Sequence, residues 1–373
     1  MKILTDFMSL EHGTEYTQTD LKGRFVDAMI KANRNNPAWP KEQVRRVIDR
    51  FYIGSEIVQK RKFGNDNILR YDWIKDSQGP TLSERTQDFV EYANTCVDQV
   101  YENDADAPDG IVHVTCSGYT LPSPIQRLVS QKNWRDVSLI HSYHMGCYGA
   151  FPGIKIASGM RAHRDKPNHR VDVVHTELFT PYFDAEKLDP SSIVAFSLFG
   201  DGAIKYSVMH ADSSAYKTGL KILSAHEEII QDSLHDMSWG ISDRKFSVFL
   251  SGKIPEKIGQ GILQFVQRLC EKGGMDFQSQ KDDFEYAIHP GGTAILREVA
   301  QNLSIDSEQL ANSFDLLRAR GNMSSVCVPY LLKDIIENPV VKEGTKILAL
   351  GFGPGLTATG LILEKVSGGR YHA

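Results

Sequence analysis

The amino-acid sequence predicts an α/β fold, and three observations carry that expectation. Short apolar runs, most of them β-branched or large, alternate with longer helix-like stretches and lie close to Gly, Pro, Asp or Ser. No low-complexity segment or short tandem repeat interrupts the alternation. A single polar, small-residue stretch near residues 210–220 (MHADSSAYKTG) divides the chain into halves of comparable size, 1–215 and 216–373.

In chain order, the first 80 residues read as charged helices and loops without a clear placement. Strands are expected at Gly110–Cys116 (GIVHVTC), Val137–Ile140, Val171–Val174, Ile193–Phe196 and Lys346–Gly351. Helices are expected at Leu82–Glu102, Pro124–Gln131, Pro255–Lys272 and Thr293–Asn302. Strands that alternate with helices argue for a largely parallel sheet.

The 373 residues suffice for a large core, and 41% hydrophobic with 24% charged residues is ordinary for a globular protein. A net charge of -5 gives no basic footprint for nucleic acid. Five cysteines (Cys96, Cys116, Cys147, Cys270, Cys327) without close pairing do not read as a disulfide framework. The N-terminus lacks the apolar core of a signal peptide, and no run of eighteen apolar residues occurs, so a cytoplasmic enzyme is expected.

Four polar islands stand in apolar surroundings: Met145–Gly149 (MGCYG), Ile288–Gly292 (IHPGG), Gly321–Ser325 (GNMSS) and Gly351–Thr357 (GFGPGLT). Cys, His and Asn together suit acyl-thioester chemistry, with the imidazole lowering the pKa of a nucleophilic thiol. A helix starting just after Cys147 would add a favourable dipole. Each island also has a plainer reading: a buried cysteine as a small hydrophobe, His289 in a turn, Asn322 as a helix cap. The GFGPGL run lacks the spacing and lysine of a phosphate loop. His141, His144 and Cys147 are spaced by threes, but the segment reads as strand into turn and offers no fourth ligand, so no metal site is expected.

Taken in order, the islands resemble the chalcone and stilbene synthases, the type III polyketide synthases, over roughly residues 110–365. GFGPGLT resembles the C-terminal signature of that family, whereas GNMSS and IHPGG resemble the segments with its catalytic Asn (Asn322) and His (His289). GCYGAFPG places the nucleophile at Cys147, LFGDGA places a gating residue at Phe199, and TCSGYTLPSP resembles the TSGxxxP loop. The resemblance implies a five-layered αβαβα thiolase fold of two similar halves, a homodimer, and acyl-CoA and malonyl-CoA as substrates, with no resident cofactor. An acyl carrier protein is an alternative donor. Cys116, Phe179, Tyr182, Val248, Ser324, Gly353 and Pro354 are the implied substrate-site residues, and Lys60, Arg61 and Lys62 are candidates for coenzyme A phosphates. Val248 stands where the family has a second gating phenylalanine, unless a one-residue shift puts Phe249 there. Phe179 and Tyr182 add bulk where plant members of that family have small residues and Val248 loses it, which disfavours a phenylpropanoid starter, while Cys116 replaces a usual threonine as in several bacterial members. Pro152 falls in the first turn of the helix after Cys147. A fatty acyl starter giving an alkylpyrone or alkylresorcinol is the preferred reading. A single-condensation ketoacyl synthase-like enzyme and a papain-like cysteine hydrolase are the alternatives, the second disfavoured by the local sequence around the cysteine.

Overall fold

The computed structural model describes residues 1–162 and 168–368. Its strands begin with β1 (Lys2–Leu10), β2 (Thr14–Thr17), β3 (Lys60–Phe63), β4 (Gly110–Thr115), β5 (Ser138–Tyr143) and β6 (Val171–Glu177). They continue with β7 (Gly202–His210), β8 (Thr218–Ile229), β9 (Met237–Ile241), β10 (Phe246–Leu250), β11 (Phe284–Ile288), β12 (Lys346–Gly353) and β13 (Thr357–Ser367). The helices begin with α1 (Gln18–Ala32), α2 (Lys41–Phe51), α3 (Leu82–Val100), α4 (Pro124–Gln131), α5 (Ala150–Ala162) and α6 (Pro190–Leu198). The remainder are α7 (Ile254–Lys272), α8 (Phe277–Gln280), α9 (Thr293–Leu303), α10 (Ala311–Arg320) and α11 (Cys327–Glu337).

Nine strands form one sheet in the order β11-β12-β13-β8-β1-β7-β6-β4-β5. The order repeats about its middle. On one side β4 runs parallel to β6, β6 antiparallel to β7, and β7 antiparallel to β1. On the other side β11 runs parallel to β12, β12 antiparallel to β13, and β13 antiparallel to β8. The two runs meet at β1 and β8, paired only through Ile3↔Lys221 and Leu4↔Leu220. The expectation of a largely parallel sheet is therefore corrected to a mixed one. Tight connections cause the difference: β12 returns as β13 through a turn at Gly355, whose φ of 110° favours glycine.

Helices make three layers around this sheet. Val97, Val100 and Tyr101 of α3, with Ile125 and Leu128 of α4, pack on Ile111 and Val174 outside the first run. The helices α5 and α11 lie between the two runs, where Ile154, Ala157, Leu331 and Ile335 share a core with Val173, Tyr206, Ala349 and Leu361. Outside the second run α7 buries Ile258, Ile262, Phe265, Val266 and Leu269, the three-and-four spacing of an amphipathic helix. Together these are the five layers that the resemblance implies. The middle helix α5 approaches closely because it is built of small residues: a Cβ on Gly153 would lie 2.9 Å from Val114 Cγ2.

The expected strand Ile193–Phe196 is part of α6 instead. Asp189 caps that helix by accepting from the Ser192 amide, and Pro190 fits its first turn. The short run is apolar on every side because it packs with Phe25 and Phe183, so no periodicity distinguishes helix from strand. Among the described residues, no helix is long and apolar enough to cross a membrane.

The thin β1–β8 seam makes a test. A Cβ on Gly219 would fall 2.2 Å from Ile3 Cγ2, so Gly219→Val forces the seam apart. It is expected to lower unfolding stability by about 1–3 kcal/mol, read from the denaturant midpoint. An unchanged midpoint would show that the seam yields freely.

Candidate active site

Three of the four islands are turns that follow a strand or helix, and the fold brings them to one cavity. β5 ends at Tyr143, and the backbone reverses through His144 and Gly146, with φ of 62° and 73°, into a short 3-10 turn over Gly146–Tyr148. Only glycine suits position 146, because a Cβ there would meet Pro354 Cδ at 2.6 Å. Cys147 stands at the centre of that turn, and α5 starts at Ala150 with Pro152 in its first turn. His289 follows β11 directly and its amide donates to the Leu350 carbonyl at 2.9 Å. Asn322 lies between α10 and α11, held by two backbone bonds: its N–H donates to Leu198 O at 2.9 Å and its carbonyl accepts from Gly200 N at 3.0 Å.

Cys147, His289 and Asn322 line a single cavity of about 320 Å³, with apolar walls that include Leu198, Met237, Leu250 and Ile254. The Asn322 amide is oriented unambiguously: Oδ1 accepts from the Ser324 amide at 2.8 Å, so Nδ2 faces Cys147 Sγ at 3.9 Å. His289 is buried, and neither ring nitrogen has a hydrogen-bond partner among the described residues. Burial pulls its pKa down to about 3, so the imidazole is neutral at working pH. Burial likewise pushes the Cys147 thiol up to about 11, with hydrogen bonds from Ser324 and Asn322 acting the other way. Among the described residues, hydrogen bonds rather than a cation oppose the thiol's loss of water.

Under the cavity lies a carboxylate that sequence reasoning missed. Glu177, fully buried at the end of β6, accepts from the Cys116 amide at 3.0 Å, Ser117 Oγ at 3.1 Å and Ser325 Oγ at 2.5 Å. Cys116 Sγ also donates to it at 3.4 Å and meets Ser324 Oγ at 3.3 Å. Its pKa is raised by burial, against the pull of these donors. A glutamate closing the apolar run VDVVHTE was the available signal. Trp239 was missed too. It lines the cavity and its indole N–H donates to Cys116 O at 2.6 Å.

The other substrate-site candidates divide. Cys116, Phe179, Phe199, Val248, Ser324 and Pro354 line the cavity. Tyr182 borders a neighbouring chamber instead, stacked on Phe246 at 4.9 Å. Gly353 is a packing position, where a Cβ would strike Tyr148 Cδ1 at 2.3 Å. On β10, Val248 lines the cavity, whereas Phe249 is 47% exposed and borders only the neighbouring chamber. β9 and β10 form a separate two-stranded hairpin in which Val248 is paired with Trp239. Its tip is tied down by Arg244–Asp76 at 2.9 Å and Lys245–Asp184 at 2.5 Å.

Of the coenzyme A candidates Lys60, Arg61 and Lys62, the structure turns Arg61 into the interior. β3 alternates their side chains. Lys60 pairs with Glu15 and Lys62 with Glu11. Arg61 is buried, donating to Gln18 Oε1, Phe196 O and Phe199 O at 3.0, 2.7 and 2.6 Å. His141 and His144 lie on β5 and its turn rather than on a helical face with Cys147. Among the described residues, no three His, Cys, Asp or Glu side chains are grouped to hold a metal ion.

Comparisons with known proteins agree with this architecture. A family model for chalcone and stilbene synthases, C-terminal domain, matches residues 221–367. The chain is 27% identical over 359 residues to type III polyketide synthase A of Arabidopsis thaliana, covering 92% of this chain and 88% of that protein. It is 28% identical over 348 residues to probable polyketide synthase 1 of Dictyostelium discoideum, spanning 90% of this chain but only 11% of that much longer protein. The crystal structure of PKS-I from the brown alga Ectocarpus siliculosus superposes with a TM-score of 0.84 at 20% identity, covering 98% of each chain, so the fold is shared.

Two tests follow from the geometry. Arg61→Leu leaves three acceptors without their donor and is expected to cost about 3 kcal/mol or more, read from the denaturation midpoint. Because the thiol pKa is raised, its thiolate fraction should grow tenfold per pH unit up to about 11. Alkylation of Cys147 by iodoacetamide, followed by mass spectrometry, should therefore climb from pH 7 to 10. A plateau below pH 8 would reveal a cationic partner that lowers the thiol.

Proposed function

We propose that the chain, which is similar to type III polyketide synthases over most of its length, extends an acyl thioester starter by decarboxylative condensation with malonyl-CoA. The observation behind this reading is the apolar cavity in which the Asn322 amide points at Cys147 and a neutral His289 has both nitrogens free. Cys147 attacks the starter carbonyl, and coenzyme A departs with the thiol proton. The acyl group stays on the sulfur. Malonyl-CoA then loses carbon dioxide, and the enolate oxygen is held by hydrogen bonds from Asn322 Nδ2 and the His289 ring N–H. A histidine kept neutral by burial donates a hydrogen bond without transferring its proton, which suits an enolate that must remain nucleophilic. The enolate carbon attacks the acyl-enzyme carbonyl, and Cys147 leaves as thiolate, free to take the chain again.

The apolar walls favour a fatty acyl starter and an alkylpyrone or alkylresorcinol product. In this reading the working form is a homodimer, with coenzyme A thioesters as donors and a carrier-protein thioester as the alternative.

Product analysis by mass spectrometry, with malonyl-CoA and a panel of acyl-CoA starters, tests the proposal. The native enzyme is expected to give products longer than the starter by two-carbon units. Cys147→Ala should abolish extension while retaining slow release of carbon dioxide from malonyl-CoA. His289→Ala and Asn322→Ala should each lose that release by about a hundredfold or more. Full condensation in any of the three variants would sink the assignment.

A further inference from the structure

His144 stands three residues before Cys147 and has no part in the proposed chemistry. Its φ of 62° is a left-handed conformation that is costly for a residue with a side chain, and such strain persists where the surroundings use it. The His144 amide still donates to Thr115 O at 2.9 Å, one step beyond the last β4–β5 pair, Thr115↔Tyr143. Its imidazole reaches the hairpin β9–β10, where Nε2 lies 3.0 Å from Trp239 O. A carbonyl only accepts, so Nε2 carries the proton and donates it. The ring also meets Phe246 edge to face at 5.7 Å and tilts over Tyr119 at 5.3 Å.

Trp239 is bound in the other direction as well, its indole N–H donating to Cys116 O at 2.6 Å. One hairpin residue is therefore gripped twice, from the segments that follow β4 and β5. The β9 strand pairs with β10 and with no other strand of the described residues. Arg244 and Lys245 fasten the hairpin tip, and the Leu250 amide fastens its base by donating to Ser191 Oγ at 2.8 Å. Among the described residues, the hydrogen bonds that hold the middle of β9 to the large sheet are the two on Trp239. Trp239 and its partner Val248 line the Cys147 cavity, and with Phe179 and Phe199 they stand between it and the neighbouring chamber.

We propose that His144 is a positioning residue: it fixes the gap between Cys147 and the Trp239–Val248 wall, and so sets how bulky a molecule reaches the sulfur. The turn after β5 carries this strut at one end and the nucleophile at the other, so sulfur and wall are referred to one piece of backbone. Losing one such hydrogen bond lowers the population of the docked wall about fivefold. The consequence for acyl starters rests on the reading of Cys147 as the acyl carrier. Access to the sulfur does not.

The experiment alkylates Cys147 with iodoacetamide and with the bulkier N-phenylmaleimide, and follows the Cys147 peptide by mass spectrometry. His144→Gln keeps a donor long enough to reach Trp239 O. His144→Asn suits the left-handed φ but is too short to reach it, and His144→Phe keeps the ring without the donor. The ratio of N-phenylmaleimide to iodoacetamide rates is expected to rise about fivefold in the Asn and Phe variants and to stay within about twofold of native in Gln. Thermal midpoints confirm folding, and either donor-breaking variant suffices. A ring that only packs would leave Phe native-like and raise Asn and Gln alike. That pattern overturns the proposal, as does an unchanged ratio in every folded variant. With hexanoyl-CoA and malonyl-CoA, the Phe variant should raise KM for the starter about fivefold and move kcat far less. A native enzyme that condenses nothing but shows the expected alkylation pattern would remove the proposed function and keep the strut.

Discussion

Much of the site hangs on one backbone bridge, between Phe199 and Asn322. It ties the loop before β7 to the junction of α10 and α11, and so joins segments more than a hundred residues apart. Two glycines permit the approach: a Cβ on Gly200 would sit 2.5 Å from Arg320 O, and one on Gly321 would sit 2.5 Å from Leu198 O. Arg61 braces the bridge from below by binding the Phe199 carbonyl. The same few ångströms thus place the amide that faces Cys147 and the ring that partitions the two chambers. A buried guanidinium bound only to neutral acceptors is costly, and here its return is a rigid junction rather than a charge for catalysis.

Against that rigid frame, the reacting groups are left under-satisfied. Among the described residues His289 has no partner for either nitrogen, and burial pushes the Cys147 thiol up to about 11. Buried polar groups without partners are unfavourable by about 1–3 kcal/mol each, so a ligand that supplies an acceptor to His289 offsets that cost. Glu177 shows the opposite arrangement, with every nearby donor turned towards it. It stiffens the floor under Cys116 and Ser324 and lets the upper face of the cavity remain sparse.

The catalytic candidates were legible because each sits in a turn whose backbone demands a local signature. Gly146 beside Cys147 and Gly321 beside Asn322 adopt positive φ, and such constraints are written in adjacent residues. The helix α4 was equally plain, its Ser123–Gln126 capping box lying in the sequence itself. What could not be read depends on partners far along the chain. The basic run Lys60–Lys62 looks like a phosphate site until the strand turns Arg61 inward and Glu11 and Glu15 claim its neighbours. The helical state of Ile193–Phe196 depends on the aromatic pocket that receives it. Strands β8 and β13 pair along most of their length, but they lie far apart in the sequence, so nothing local announces that pairing.

The hairpin β9–β10 has a wider meaning. Trp239 and Val248 face each other across a two-stranded sheet that shares no ladder with the nine-stranded one, and its tip is fastened by two ion pairs. The nucleophile and its hydrogen-bond donors are mounted on the large sheet and its helix junctions. The proposed reacting groups and one wall of their cavity are therefore carried by separable pieces of polypeptide. A lineage carrying this fold can rewrite the hairpin residue by residue, acquiring new substrates, while the chemistry passes down unaltered.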